Sequence, residues 1–181
     1  MSQSQPTLGE LSRAAGHGRP AAPVRLVHLG LGNFFRAHQA WYTDRAPDAG
    51  DWGIAAFSGR RAELADTLNG QEGLYTLITR AADADRFDVL SSISRAHAGA
   101  DHEAWLGYLA SPDVRAVTIT VTEAGYVRGA DGGLDRDRPQ VQDDVETLRR
   151  DLTAAVGTAP ARLVAGCAAR RRSDGGPLTV V

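Results

Sequence analysis

Leu26-Val27-His28-Leu29-Gly30-Leu31-Gly32-Asn33-Phe34-Phe35-Arg36-Ala37-His38 is an apolar run that ends in Gly-x-Gly and passes at once into residues of helical composition. That pattern spells a strand, a tight turn and the start of a helix. A turn of this kind brings backbone close to a pyrophosphate, whose charge is favoured by the free N–H groups of the following helix. Glycine is required where a Cβ would stand between backbone and ligand.

Gly30 and Gly32 fill the first two positions of G-x-G-x-x-G, and Phe35 stands at the third. Val24 to Leu29 is apolar enough for a parallel strand buried on both faces. Asn33 is the expected N-cap. The candidate binding segment is therefore Leu29, Gly30, Leu31, Gly32, Asn33 and Phe34, with Arg36 added. A cation in a first helical turn opposes the helix dipole unless an anion lies nearby, and the alternative is a solvated arginine on an exposed face. His28, inside the strand, reads as a core histidine with satisfied hydrogen bonds rather than a catalytic one. His38 faces either the sheet or the ligand.

With these residues in view, Val27 to His38 resembles the cofactor-binding segment of the polyol-specific long-chain dehydrogenases, the mannitol dehydrogenase family, which also lacks the third glycine. Further matches follow in the same order: Asp51-Trp52-Gly53-Ile54, Gln71-Glu72-Gly73-Leu74-Tyr75-Thr76-Leu77, and Thr120-Val121-Thr122-Glu123-Ala124-Gly125-Tyr126. The resemblance covers Val24 to Val181.

Composition bounds the alternatives. The chain has 181 residues, 43% of them apolar, and a formal charge of −2, which suits one globular domain and offers no net basic surface for nucleic acid. All 20 basic residues are arginine, so a Walker A loop, a Schiff base and a lysine general base are excluded within these residues. The single cysteine, Cys167, precludes an internal disulfide and reads as a small core residue rather than a nucleophile. No apolar run reaches membrane-spanning length and no leader pattern stands at Met1, so no membrane partner and a cytoplasmic location are expected.

Taken in order, residues 1–23 read as a mobile tail that contains His17, and 24–181 as a dinucleotide-binding domain. The helix opened at Asn33 is expected to run to Arg45, with a strand over Ile54 to Phe57 beyond it. Asp51 lies at the usual distance for a ribose-binding acid but precedes the strand, whereas ribose recognition falls at the strand's carboxyl end, occupied by Ser58-Gly59-Arg60-Arg61. Arg60 there suits the 2′-phosphate of NADP or stacks on adenine; the alternative is a solvated pair opening a helix over Arg61 to Leu68. Leu74 to Thr79 and Phe87 to Ile93 form an expected hairpin insertion. The spacing of His97 and His102, flanking a helix over Asp101 to Ala110, gives no reason to assign a metal site. Ala116 to Thr122 is a further central strand whose carboxyl end presents Glu123 and Gly125 toward the nicotinamide side, against the alternative of a solvated glutamate. A helix from Pro139 to Val156 is expected to place Val141, Val145, Leu148, Leu152 and Val156 in the core. The next, Ala161 to Arg172, carries Arg170, Arg171 and Arg172 where positive charge complements its carboxyl end. Leu178 to Val181 begins one more parallel strand.

The fold expected is α/β, a doubly wound, mostly parallel Rossmann-type sheet with a hairpin insertion, lacking the helical carboxyl-terminal domain that the family carries and that would pack on it. The resemblance implies hydride transfer between NAD, with NADP tolerated, and a small polyol, hexonate or keto-sugar substrate. The family's catalytic lysine, asparagine and histidine lie beyond Val181, so no catalytic residue is assigned here. Two other readings stay open: a non-catalytic dinucleotide-binding fragment, and an adenosylmethionine-dependent methyltransferase. Arg36 disfavours the latter, because a sulfonium ligand has no phosphate to neutralise.

Overall fold

The computed structural model describes residues 11–59 and 62–181. Five parallel strands form one sheet in the order β5-β2-β1-β6-β7, where β1 is Val24–Leu29, β2 Gly53–Phe57, β5 Ile93–His97, β6 Ala116–Ile119 and β7 Thr179–Val180. Pairing Leu29 with both Phe57 and Ile119, and Phe57 with His97, brings four strand ends level. The chain goes from β1 to one side, through β2 to β5, then crosses back to β6 on the other side. The strand order therefore reverses between β1 and β6, where an open parallel sheet has its ligand crevice.

Both faces are covered. On one, α1 (Asn33–Ala37), α2 (Gln39–Arg45) and α3 (Glu63–Gly70) close over Phe35, Ile54, Ala56 and Leu68. On the other, α4 (His102–Ala110) and α6 (Ala159–Arg172) close over Val27, Phe57, Trp105, Leu109 and Val117. Alternate β2 residues thus serve opposite cores, as the two-residue period requires. The expected doubly wound sheet is present. The hairpin is present too, as β3 (Tyr75–Thr79) and β4 (Arg86–Leu90) in a separate antiparallel sheet.

Several boundaries differ from expectation. The hairpin's second strand stops at Leu90, because Ile93 opens β5, a main-sheet strand that the sequence reading did not separate. Serines at its entry disguise it: Ser92, just before the strand, donates to Ala40 O at 2.8 Å and Ser94, within it, to Ala22 O at 2.7 Å, so both are buried with their hydroxyls satisfied. On the outer side of β5, Asn69 of α3 donates to Ala96 O at 2.8 Å and accepts from Ala96 N–H at 3.1 Å.

The single helix expected over Asn33 to Arg45 is broken at His38, whose N–H is shared between the Phe34 and Phe35 carbonyls. The Tyr75 hydroxyl donates to Arg36 O at 2.7 Å, and His38 Nδ1–H donates to Phe34 O at 2.8 Å. Tyr75 thus takes a carbonyl that a continuing helix would use, and the His38 ring adds a second donor to Phe34 O beside its own N–H.

Residues 11–23, part of the stretch expected as a tail, make defined contacts with the sheet margin. Arg13 donates to Ser91 O and Ile93 O at 2.9 and 3.0 Å, and Arg19 pairs with Asp44 at 2.7 Å, so two arginines fasten this segment along the sheet margin. His17 belongs to the same segment, accepting from Ser12 N–H at Nδ1. Residues 1–10 lie outside the described residues.

The helix from Pro139, α5, stops at Arg150. The buried Asp144 carboxylate accepts from the N–H groups of Gly157 and Thr158 and from the Thr158 hydroxyl, folding the following loop back across the helix. Leu152 is consequently half exposed, not in the core, and Val156 lies on that loop rather than on a helical face. Cys167 is exposed on α6, contrary to expectation, because Ala165 and Gly166 occupy the inward face beside it.

Arg170 is not a solvated helix-end charge. It is buried, and its guanidinium donates to the carbonyls of Leu109, Ser111, Val114, Gly175, Gly176 and Pro177 at 2.6 to 3.1 Å. Arg162, also buried, lies 4.9 Å above the Trp105 ring, and burial lowers its pKa. Among the described residues no helix is long and apolar enough to cross a membrane.

Candidate functional site

At the crevice the turn after β1 is held from two sides. The N–H groups of Gly30 and Leu31 both donate to Phe57 O at 3.0 Å, and Thr120 N–H donates to Leu29 O at 2.9 Å. Gly30 adopts φ +119°, and a Cβ built there would stand 2.1 Å from Thr120 O. The fold itself therefore demands glycine at 30. Gly32 differs: its backbone is extended, and a Cβ there would meet nothing nearer than Gly30 O at 3.7 Å. Its side-chain space is open, so packing gives no reason for glycine at 32.

Leu29 and Leu31 are buried and anchor the turn, while Gly32, Asn33 and Phe34 are exposed. Asn33 is not the N-cap. Gly32 occupies that position, and the Asn33 side chain instead accepts from the Arg36 guanidinium, a bond available because both sit on one side of the first turn. Among the described residues the N–H groups of Asn33, Phe34 and Phe35 have no intramolecular acceptor, as the opening of a helix leaves them. The 66%-exposed Phe34 ring stacks on His38 at 4.4 Å, which puts His38 on the outer surface rather than against the sheet.

Across the crevice, β6 runs out through Thr120 into a 3-10 turn, Glu123–Tyr126. Glu123 is exposed there and Gly125 half-buried. Gly125 has an internal reason to be glycine, since a Cβ would meet the Val121 side chain at 2.9 Å. The turn closes on Val127 at φ +46°, a left-handed conformation strained for a β-branched residue, at the rim of the crevice. Arg60 lies outside the described residues. Asp51 sits at the opposite end of β2, away from the crevice.

His28 is fully buried beneath the turn, stacked on Phe35 at 3.7 Å between ring centroids. Its Nδ1 lies 2.7 Å from Thr118 Oγ1, and its Nε2 lies 2.9 Å from Thr120 Oγ1 and 3.2 Å from Gly30 O. Gln39 completes the group at 2.9 Å from Thr118 Oγ1. Sequence reading placed His28 in the core but missed Thr118, Thr120 and Gln39. The available signal was the two-residue period, which puts Thr118 and Thr120 on the face that β1 gives to His28 and Gly30.

Burial lowers the His28 pKa to about 4. A neutral histidine in the fold that protonates near 6.5 when unfolded makes the unfolded chain bind the extra proton first. His28 neutrality therefore contributes no penalty above pH 6.5, and stability falls as pH drops from 6.5 toward 4. Urea unfolding at pH 7.5 and pH 4.5 should differ by roughly 2.5 kcal/mol on this account, most of which should vanish in His28→Gln. Equal midpoints for the parent at the two pH values would contradict it.

Comparison with known proteins agrees with the fold. Residues 24–181 match the family described as Mannitol dehydrogenase Rossmann domain. D-arabinitol 4-dehydrogenase of Ralstonia nicotianae is 38% identical over 168 residues, covering 88% of this chain and 34% of the relative. D-mannonate oxidoreductase of Escherichia coli is 37% identical over 130 residues, 67% of this chain and 27% of the relative. A mannitol 2-dehydrogenase from Pseudomonas fluorescens, solved as a ternary complex with NAD and D-mannitol, superposes with a TM-score of 0.77 at 32% identity, over 88% of this chain and 33% of the other. The chain spans about a third of the length of the curated relatives it matches.

Proposed function

The chain belongs to the mannitol dehydrogenase family, and from that membership we propose that it is the NAD-binding part of an oxidoreductase that interconverts a sugar alcohol or hexonate and its keto form. The observation that carries the binding assignment is the contrast between its two turn glycines. Gly30 is glycine because the fold leaves no room, whereas Gly32 is glycine where the fold leaves room to spare. An open position kept free of a side chain beside unpaired N–H groups fits close approach of a pyrophosphate.

On this reading Leu29 and Leu31 hold the turn in place, Gly32 leaves the approach clear, and the N–H groups of Asn33 and Phe34 are the donors. Arg36 offsets charge from the same side, and Glu123 and Gly125 border the nicotinamide half. Arg60 would meet a 2′-phosphate, which leaves NADP tolerated. The chemistry that NAD supplies at such a site is hydride exchange with a CH–OH carbon. His28 is ill-suited to hand protons to a substrate, because both its ring nitrogens are engaged in the core. On this reading the catalytic groups lie in the part of the relatives' length that this chain does not span. A cytoplasmic location goes with this reading.

Gly32→Val tests it. The variant should melt within a few degrees of the parent, since its side chain enters open space, while NADH affinity in a fluorescence titration falls at least about a hundredfold, some 2.7 kcal/mol. A folded Gly32→Val chain that binds NADH as the parent does would remove the pyrophosphate assignment. Binding of adenosylmethionine in place of NADH would favour the methyltransferase reading instead.

A further inference from the structure

We propose that His28 and Thr120 are positioning residues for the dinucleotide turn, because a chain of hydrogen bonds from Gln39 through Thr118, His28 and Thr120 ends on the Gly30 carbonyl and fixes the peptide from which the turn is built. The inference rests on the reading of that turn as a dinucleotide site and adds what holds it in shape.

The direction of the chain follows from which atoms can donate. Gly30 O only accepts, so the Thr120 hydroxyl, at 3.2 Å, donates to it. Thr120 Oγ1 then accepts from His28 Nε2–H at 2.9 Å, and that tautomer leaves Nδ1 to accept from the Thr118 hydroxyl at 2.7 Å. Thr118 Oγ1 in turn accepts from the Gln39 amide at 2.9 Å. Gly30 O also lies within 3.2 Å of His28 Nε2 and accepts from Gly32 N–H at 2.6 Å. Donors from β1, from β6 and from the turn itself thus converge on one carbonyl.

Such a device answers a specific problem. Glycine is required at 30 because nothing else fits against Thr120 O, yet glycine is also the residue least able to hold its own dihedral angles. A loose peptide at 30 would let Gly32 and the N–H groups of Asn33 and Phe34 wander, and each ligand encounter would then carry the entropy cost of ordering them. The buried chain supplies the rigidity that residue 30 lacks. Its far end on Gln39, at the start of α2, ties the turn to the helix that follows it. Phe35, the α1 residue stacked on the imidazole, closes the group from above.

The hydroxyl of Thr120 is the link to test, since Thr120→Val keeps the shape and deletes the hydrogen bonds while Thr120→Ser keeps the hydroxyl. NADH titration, amide hydrogen exchange at Gly32 and thermal melting are measured on the parent and both variants. Thr120→Val should weaken NADH binding about tenfold and speed Gly32 exchange about tenfold, and Thr120→Ser should stay within about threefold of the parent on both. A second pair follows the same logic: His28→Gln can place an N–H where Nε2–H stands and should retain the turn, whereas His28→Leu should lose it. If His28→Leu fails to fold, the threonine pair still decides. Parent-like binding and exchange in Thr120→Val, or equal losses in Thr120→Val and Thr120→Ser, would overturn the proposal. A parent that does not bind NADH, with Gly32 exchange still accelerated in Thr120→Val, would leave the positioning role standing and remove the dinucleotide reading.

Discussion

Arg170→Met should destabilise the chain by roughly 3–5 kcal/mol, lowering its melting temperature by roughly 10 °C. The guanidinium is buried with no carboxylate beside it among the described residues, and six backbone carbonyls satisfy it instead. Those carbonyls come from the end of α4, from the segment leading into β6 and from the turn into β7. One side chain thus collects three separate stretches of backbone. Methionine has the length to fill the space but no donor, so it leaves buried carbonyls unpaired, and an unpaired buried polar group costs more than a hydrogen bond returns. Arg171→Met, one residue on and exposed, should change the melting temperature by no more than a degree or two. Similar losses for the two variants would show that the carbonyl cluster is not what Arg170 supports.

Gly30→Ala should cost about 4 kcal/mol or prevent folding, a larger penalty than a left-handed alanine alone would carry. The added Cβ would lie 2.1 Å from Thr120 O and 2.8 Å from Thr120 C, both backbone atoms. Neither partner can retreat cheaply. Thr120 is tied to Leu29 O, and the N–H groups of Gly30 and Leu31 are tied to Phe57 O, so relieving the overlap means parting β1 from β6 or from β2. Gly32→Ala, two residues away, should leave the unfolding midpoint in urea within experimental error. A Gly30→Ala chain as stable as the parent would mean that the turn is not held as tightly as these bonds imply.

The part of the fold that is local in origin was legible in the sequence. An apolar run broken by two glycines defines β1 and its turn, and the helix expected over Asp101 to Ala110 is present as α4, with Asp101 as its cap accepting from Ala104 N–H at 3.1 Å. What was not legible depends on partners distant in the chain. The serines at the start of β5 look like loop until Ala40 and Ala22 supply acceptors for Ser92 and Ser94. Arg170 has the position and charge of an ordinary helix end, and only the return of the chain at Gly175 to Pro177 turns it inward. The helix break at His38 likewise needs Tyr75, from beyond α2, β2 and α3. At the site itself the glycine pair was readable but its division of labour was not, because the same letter serves a steric demand at 30 and an open approach at 32.

The β5 margin of the sheet is already occupied. Along β5, Arg13 occupies the carbonyl of Ile93, and Asn69 takes both hydrogen-bonding groups of Ala96, so side chains already fill the places that a foreign backbone would need. Edge-to-edge growth, the usual route by which sheets recruit other chains into aggregates, is therefore refused at the β5 border.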